Sequence, residues 1–123
     1  MAEVPLTVLI VDDDAGFRRL AGRILAADGF TVLGESVDGE SALQAVEALR
    51  PDLVLLDVGL PGINGVDVAR TIASAPAPPA VVLVSSRQEL DHGPAIHMCG
   101  ACGFLTKDDL SGPFIRSLME SGT

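Results

Sequence analysis

Five polar residues that could bind a metal ion and a phosphate-like group lie at the ends of four apolar runs of the sequence. They are Asp12, Asp13, Asp57, Ser85 and Lys107. Three carboxylates held close together repel one another unless a cation lies among them. Oxygen ligands of this kind suit Mg²⁺, while a hydroxyl and an ammonium group can bind a dianionic group. The residue types therefore predict a metal-assisted site for such a group, provided that the fold brings them together.

Apolar runs alternate with helical patterns along the chain, and this alternation predicts a fold that brings the polar residues together. We expect strands at 6–11, 30–35, 53–56, 80–84 and 104–106, and helices at 15–27, 38–49, 66–74, 87–98 and 113–120. Strands that alternate with helices at this spacing predict one α/β domain with a five-stranded parallel sheet between helical layers. Because the carboxyl ends of parallel strands share one edge of the sheet, the five polar residues are expected to converge there.

The third apolar run delivers the central carboxylate. Residues 53–56 are uninterrupted aliphatic residues, a pattern typical of a strand buried on both faces. Asp57 follows at once, and the glycines and proline between 59 and 65 predict a loop that ends the strand. Ligands bind at this edge of open α/β sheets, so Asp57 is a candidate site residue.

Apolar periodicity predicts which face of each helix is buried. In the segment 15–27 we expect an inward apolar face and a solvated arginine face. The apolar residues are Phe17, Leu20, Ala21, Ile24 and Leu25, and the arginines are Arg18, Arg19 and Arg23. In the segment 38–49 the predicted inward residues are Leu43, Val46 and Leu49. Asp14 stands where a helix-capping residue is expected.

The predicted fourth helix at 87–98 contains Gly93 and Pro94 in its middle. Proline in a helix interior removes one hydrogen bond and clashes with the preceding turn, at a cost of about 3 kcal/mol. We therefore expect a short, kinked or mobile helix in this segment.

Charge and hydropathy exclude several classes of function. The chain carries 17 acidic residues against 8 Lys and Arg, for a net charge of -9. Phosphate contacts need clustered basic residues, so we expect no direct binding of nucleic acid. No apolar run approaches membrane-spanning length, and the first residues lack the pattern of a signal peptide. We therefore expect a cytoplasmic protein with no membrane contact.

Cys99 and Cys102 have the spacing of a redox pair or half of a zinc site. A zinc site would need further ligands, and a redox pair is expected at the start of a helix after an early strand, whereas this pair precedes a late strand. We interpret both cysteines as small buried apolar residues.

Four motifs in register across the whole chain resemble the receiver domain of two-component response regulators. They are Val-Asp-Asp-Asp at 11–14, Leu-Leu-Asp-Val-Gly-Leu-Pro-Gly-Ile-Asn-Gly at 55–65, Leu-Val-Ser-Ser at 83–86, and Gly-Ala-Cys-Gly-Phe-Leu-Thr-Lys-Asp at 100–108. The resemblance implies a doubly wound, flavodoxin-like sheet in the order 2-1-3-4-5. It also implies that residues 1–123 are one receiver domain, with no output domain in this chain.

The resemblance assigns roles to the site residues. Asp57 would be the phosphoacceptor, which takes a phosphoryl group from a sensor histidine kinase or a phosphotransfer domain. Asp13, Asp57 and the backbone carbonyl of Gly59 would bind Mg²⁺ or Mn²⁺, with Asp12 acting through water. The phosphoryl-binding and switch residues would be Ser85, Phe104 and Lys107.

A receiver of this kind is a signalling switch that phosphorylates and dephosphorylates itself and processes no external substrate. By resemblance, phosphorylation would shift the face formed by the fourth helix, fifth strand and fifth helix, to control a DNA-binding output domain or a protein partner, and a homodimer is a further expectation.

Lys107 is followed by Asp108, where the family usually has proline. We therefore expect a trans bond at this position. The Lys-Asp pair at 107–108 resembles the pair found in receivers that precede a helix-turn-helix DNA-binding domain.

Two alternatives belong to other classes of function. A phosphohydrolase of the haloacid-dehalogenase type also begins with an Asp-rich strand, but it attacks with an aspartate of that first strand and needs a longer chain. A receiver that has lost phosphorylation and acts only as a docking domain is the other alternative. The position of Asp57 and the short chain disfavour the first alternative. The intact acidic set disfavours the second, although Gly93 and Pro94 in the predicted fourth helix leave it open.

Overall fold

Five parallel strands form one sheet in the computed structural model of the protein, which describes residues 5–60, 62–86 and 100–121. The strands are β1 (Thr7–Val11), β2 (Thr31–Ser36), β3 (Leu53–Asp57), β4 (Ala80–Ser85) and β5 (Gly103–Thr106). Their order is β2-β1-β3-β4-β5, which confirms the predicted sheet. The predicted helix at 87–98, with Gly93, Pro94 and Cys99, lies outside the described residues.

Four helices are described, together with a 3-10 turn at Lys107–Asp109. The helices are α1 (Ala15–Ala27), α2 (Gly39–Leu49), α3 (Gly65–Ala73) and α4 (Gly112–Ser121). Side chains cap three of them, because Asp14, Asp38 and Asn64 each accept a backbone N–H of the first turn. The hydrogen bonds from Ser41 lower the pKa of the Asp38 carboxyl. In each of these helices the capping side chain therefore accepts hydrogen bonds from one or two of the otherwise unpaired amides of the first turn.

Alternate side chains of each strand pack into two apolar layers, one on each face of the sheet, as a doubly wound sheet requires. Leu9, Val11 and their counterparts on β3 and β4 pack against α2 and α3. Val8, Ile10 and the other alternate residues pack against the Phe17 side of α1 and against α4. Both faces of the central strands β1, β3 and β4 are therefore buried, and their buried polar residues lie at or directly after the strand ends.

Two helix-facing predictions are wrong. Leu20 is 52% exposed, because the buried stripe of α1 consists of Phe17, Ala21 and Leu25, spaced four residues apart. Leu49 is 43% exposed; it is the last residue of α2 and lies beside Gly34 of the edge strand β2. Both leucines lie at the margins of their helix interfaces.

Cys102 is half-buried, contacts the layer that contains α1 and α4, and is a free thiol. Burial raises the pKa of this thiol, so the reactive thiolate form is disfavoured. The prediction of an inert apolar role is therefore supported for Cys102. None of the helices in the described part of the chain combines the length and the apolar character needed to cross a bilayer.

Candidate functional site

Three aspartates converge at the carboxyl edge of the sheet. Asp12 follows β1, Asp13 follows Asp12, and Asp57 ends β3, which pairs with β1. Asp12 and Asp57 are buried and Asp13 is exposed, and one carboxylate oxygen from each lies within 4.8 Å of the other two. The strand ends therefore bring together the carboxylates that the sequence predicted.

Backbone amides hold one oxygen of each buried carboxylate. Asp12 Oδ1 accepts a hydrogen bond from the Asp14 amide at 2.8 Å, and Asp57 Oδ1 accepts one from the Gly59 amide at 3.0 Å. The Asp12 amide itself donates to the Ser36 carbonyl at 3.0 Å. Both carboxylates are thus fixed by the loops that follow their strands, and their Oδ2 atoms face Lys107.

Lys107 provides positive charge at this cluster. Its Nζ lies 2.9 Å from Asp12 Oδ2 and 3.9 Å from Asp57 Oδ2, and 4.6 Å from the centre of the Phe17 ring. Burial by itself would lower the pKa of the ammonium group, but the close contact with the Asp12 carboxylate and the charges of Asp57, Asp12 and Asp14 outweigh it and raise the pKa. Lys107 is therefore a fixed cation at neutral pH.

The donor chemistry of the cluster fits a hard divalent cation. Asp12 Oδ2 is buried and accepts no well-aligned hydrogen bond among the described residues, although Lys107 Nζ lies at ion-pair distance. Two buried carboxylates and an exposed one offer oxygen ligands, which suit Mg²⁺. Asp12, Asp13 and Asp57 are the residues that could hold the ion.

The remaining predicted site residues lie at or near the same edge. Ser85 ends β4 beside Thr106 of β5, is fully buried, and its Oγ has no hydrogen-bond partner among the described residues. Phe104 is half-buried against the α2 and α3 layer, and Gly59 is exposed in the loop after β3. The roles assigned to the Gly59 carbonyl, Ser85 and Phe104 stay predictions.

The Lys107–Asp108 bond is trans, as expected. Lys107 opens the 3-10 turn, which is closed by a hydrogen bond of 2.9 Å from Thr106 Oγ1 to Asp109 Oδ2. A short hydrogen-bonded turn therefore fixes the backbone that carries the lysine.

The prediction that Arg18 belongs to a solvated face is wrong. Its side chain is only 16% exposed, its Nε donates to Glu35 Oε1 at 2.8 Å, and its Nη1 donates to the Asp12 carbonyl at 2.7 Å. Arg18 lies four residues after Asp14, on the first turn of the helix that follows the acidic loop. That spacing is the signal in the sequence that could have identified it.

We expect Arg18→Lys to lower the free energy of unfolding by about 1 kcal/mol, because an ammonium group cannot reproduce the two divergent hydrogen bonds of the guanidinium. Urea denaturation followed by far-ultraviolet circular dichroism measures this change. Arg19→Lys is the matched control, since Arg19 is exposed on the same turn and should change stability by less than about 0.5 kcal/mol. Equal effects of the two substitutions would contradict the role given to Arg18.

An open cleft of about 790 Å³ lies elsewhere, at the opposite edge of the sheet between the last turns of α2 and α3. It is lined by apolar side chains such as Val46 and Ile72 and by the proline-rich segment 75–79, and it contains none of the acidic cluster. The convergent charges, rather than this cleft, therefore mark the candidate site.

Comparisons with known proteins agree with the geometry. The sequence model of the response regulator receiver domain matches residues 8–111. The positive alginate biosynthesis regulatory protein of Pseudomonas aeruginosa is 39% identical over 118 residues, which cover 94% of this chain and 47% of that protein. The DNA-binding response regulator MtrA of Mycobacterium tuberculosis is 44% identical over 86 residues, which cover 68% of this chain and 36% of MtrA. The chain thus spans less than half the length of these two relatives.

A solved structure has the same fold over its whole length. The signal receiver domain of the putative response regulator NarL from Mycobacterium tuberculosis superposes with a TM-score of 0.85 at 31% identity, covering 98% of each chain. This agreement confirms the flavodoxin-like topology. The family match covers most of the sequence, including all three clustered aspartates and Lys107. The chain therefore belongs to the response regulator receiver domain family.

Proposed function

We propose that this receiver domain is a phosphorylation switch in which Asp57 accepts the phosphoryl group with the help of Mg²⁺ or Mn²⁺. One observation carries the proposal: the buried Asp57 carboxylate faces both the carboxylates of Asp12 and Asp13 and the ammonium group of Lys107. A metal ion and a lysine on either side of one carboxylate are the groups that phosphoryl transfer to that carboxylate needs.

In the proposed reaction a carboxylate oxygen of Asp57 forms a bond to phosphorus while the P–N bond of a donor phosphohistidine breaks. The electron pair of the P–N bond stays on that imidazole nitrogen, and the leaving group is a neutral imidazole because its other ring nitrogen already carries a proton. The Gly59 amide holds the Asp57 carboxylate in one orientation through Oδ1. This fixed carboxylate loses little freedom on reaching the transition state, which favours transfer.

Charge neutralisation is the main contribution that the site makes. Asp13, Asp57 and the Gly59 carbonyl would hold the metal ion, with Asp12 acting through water, and the ion would supply positive charge for the phosphoryl oxygens. Lys107 would move from Asp12 towards the phosphoryl group, since its Nζ already lies between the two carboxylates. The buried Ser85 Oγ, without a hydrogen-bond partner among the described residues, is a donor for the same group. These three contributions would stabilise the acyl phosphate.

We propose a sensor histidine kinase or phosphotransfer domain as the phosphoryl donor in a cytoplasmic pathway. The proposed output face comprises the segment 87–98, β5 and α4, to which Phe104 would transmit the change by turning inward. Relatives such as the DNA-binding response regulator MtrA support control of a DNA-binding output domain. A protein partner or a homodimer would use the same face. Acetyl phosphate would serve as the donor for self-phosphorylation, and water would hydrolyse the acyl phosphate in self-dephosphorylation.

Intact mass spectrometry after incubation with acetyl phosphate tests the proposal. We expect one added phosphoryl group on the wild type with Mg²⁺ and none with a chelator. Asp57→Asn should abolish the addition, whereas Asp52→Asn, which alters an exposed aspartate at the opposite edge, should leave it intact. Unchanged labelling of Asp57→Asn, or no labelling of a folded wild type, would contradict the proposal.

A further inference from the structure

Phe17 forms an aromatic wall beside the lysine of the acidic cluster. It lies in the first turn of α1, is 8% exposed, and packs in the layer that also contains α4. The Lys107 Nζ lies 4.6 Å from the centre of its ring. An ammonium group at this distance over an aromatic face is attracted by the negative charge of the π system.

The two carboxylate contacts of Lys107 are unequal. Nζ lies 2.9 Å from Asp12 Oδ2 but 3.9 Å from Asp57 Oδ2. To contact a phosphoryl group on Asp57, the ammonium group must give up part of its contact with Asp12. A hydrogen bond weakens steeply with angle, whereas the attraction of a ring face varies gradually. The ring can therefore hold the ammonium group at the site while its carboxylate contacts change.

We propose that Phe17 is a positioning residue for Lys107, which keeps the ammonium group between Asp12 and Asp57 and thereby speeds phosphoryl uptake. This inference rests on the proposed role of Asp57 as phosphoacceptor. The Phe17 side chain has no polar atom that could bind a metal ion or a phosphoryl group, so it acts only through the lysine. The sequence reveals Phe17 as a core residue, but its contact with a residue 90 positions away depends on the fold.

Lys107 is the only lysine in the chain, so lysine-selective ¹³C labelling gives the NMR signals of this one side chain. The ring current of Phe17 should shift the Lys107 Hε protons upfield, with a nuclear Overhauser contact to the ring. Phe17→Leu keeps an apolar side chain but removes the π face, so it should abolish the upfield shift. The wild-type shift and contact test the arrangement even where a variant fails to fold.

The chain contains a matched control. Phe30 is also buried, and the guanidinium of Arg116 lies 4.6 Å from its ring centre. Phe30 directly precedes β2, at the opposite end of the strand from the edge that carries the acidic cluster. Phe30→Leu therefore removes a comparable aromatic contact without touching Lys107. It should leave the Lys107 signals in place.

Rates of phosphorylation by acetyl phosphate at saturating Mg²⁺ complete the test. Phe17→Leu should lower the maximal rate about 3- to 10-fold, the range expected from loss of one cation–π contact, and Phe30→Leu less than about twofold. The Mg²⁺ concentration for half-maximal rate should change less than about twofold in both, because neither ring supplies a ligand.

Two results would overturn the inference. One is a wild-type Lys107 signal without an upfield shift or a contact to the ring. The other is loss of that shift in Phe17→Leu with a rate equal to that of Phe30→Leu. Absence of phosphoryl uptake by the wild type would instead overturn the proposed function and the rate effect with it, while the NMR signals separately decide whether the ring holds the ammonium group.

Discussion

Replacing Lys107 with methionine is expected to slow phosphoryl uptake roughly 100-fold, the scale measured when one preorganised charge-stabilising group is removed from an active site. Methionine keeps much of the length and the apolar stem but has no charge. Lys107 Nζ lies between the two buried carboxylates, so its removal takes away the cation that would meet the developing charge on the phosphoryl oxygens. Single-turnover labelling followed by mass spectrometry measures the rate.

The same substitution should strengthen Mg²⁺ binding by at least about threefold, because the ammonium group and the metal ion compete for the oxygens of Asp12 and Asp57. Titration calorimetry suits this measurement, since the chain has neither Trp nor Tyr to report binding by fluorescence. Lys107→Arg is the control: it keeps the charge, so the Mg²⁺ affinity should stay near that of the wild type. Wild-type rates in Lys107→Met would contradict the role of the lysine.

Gly65→Ala is expected to lower the free energy of unfolding by about 2 kcal/mol and to abolish most phosphoryl uptake. A Cβ atom at this position would overlap the backbone carbonyl of Asp57 and the Cα atom of Val58. The Gly65 amide also donates to the Val58 carbonyl at 3.2 Å, so the chain folds back tightly just after the central carboxylate. Relief of the overlap must displace the segment that orients Asp57.

Gly22→Ala is the matched control for this prediction. Gly22 lies within α1, and a Cβ atom there would come no closer than 3.8 Å to Ile10, an ordinary contact. Alanine should therefore raise the free energy of unfolding by about 0.5 to 1 kcal/mol through its higher helix propensity. Urea denaturation and the labelling assay compare both variants, and a Gly65→Ala protein as stable and as active as the wild type would refute the close-packing argument.

The sheet and the acidic cluster were predictable because they depend on local patterns. Uninterrupted aliphatic runs such as 53–56 are typical of buried parallel strands. A residue that follows such a run must lie at the carboxyl edge of the sheet. Asp12, Asp57 and Lys107 therefore meet in the structure as expected. Strand ends differ from the predictions by about one residue, as at Thr31–Ser36 and Ala80–Ser85.

The errors concern how a helix is turned towards its neighbours. Leu20 belongs to the apolar set of α1 by spacing, yet it is exposed, because the rotation of the helix depends on the residues of the sheet and of α4 that it meets. Arg18 resembles its exposed neighbour Arg19 in the sequence, but only Arg18 reaches the Asp12 carbonyl and Glu35. The contact between Phe17 and Lys107 likewise joins distant segments, which periodicity does not reveal.

The most direct test of the central claim is to locate the phosphoryl group on the chain. Borohydride reduces an acyl phosphate to an alcohol, so the protein labelled with acetyl phosphate and Mg²⁺, then reduced and digested, should contain homoserine at position 57. Asp12, Asp13 and Asp14 should remain aspartate in the same digest. Homoserine at position 12 or 13 would mean that a first-strand aspartate is the nucleophile, as in phosphohydrolases of the haloacid-dehalogenase type, and would contradict the switch proposed for Asp57.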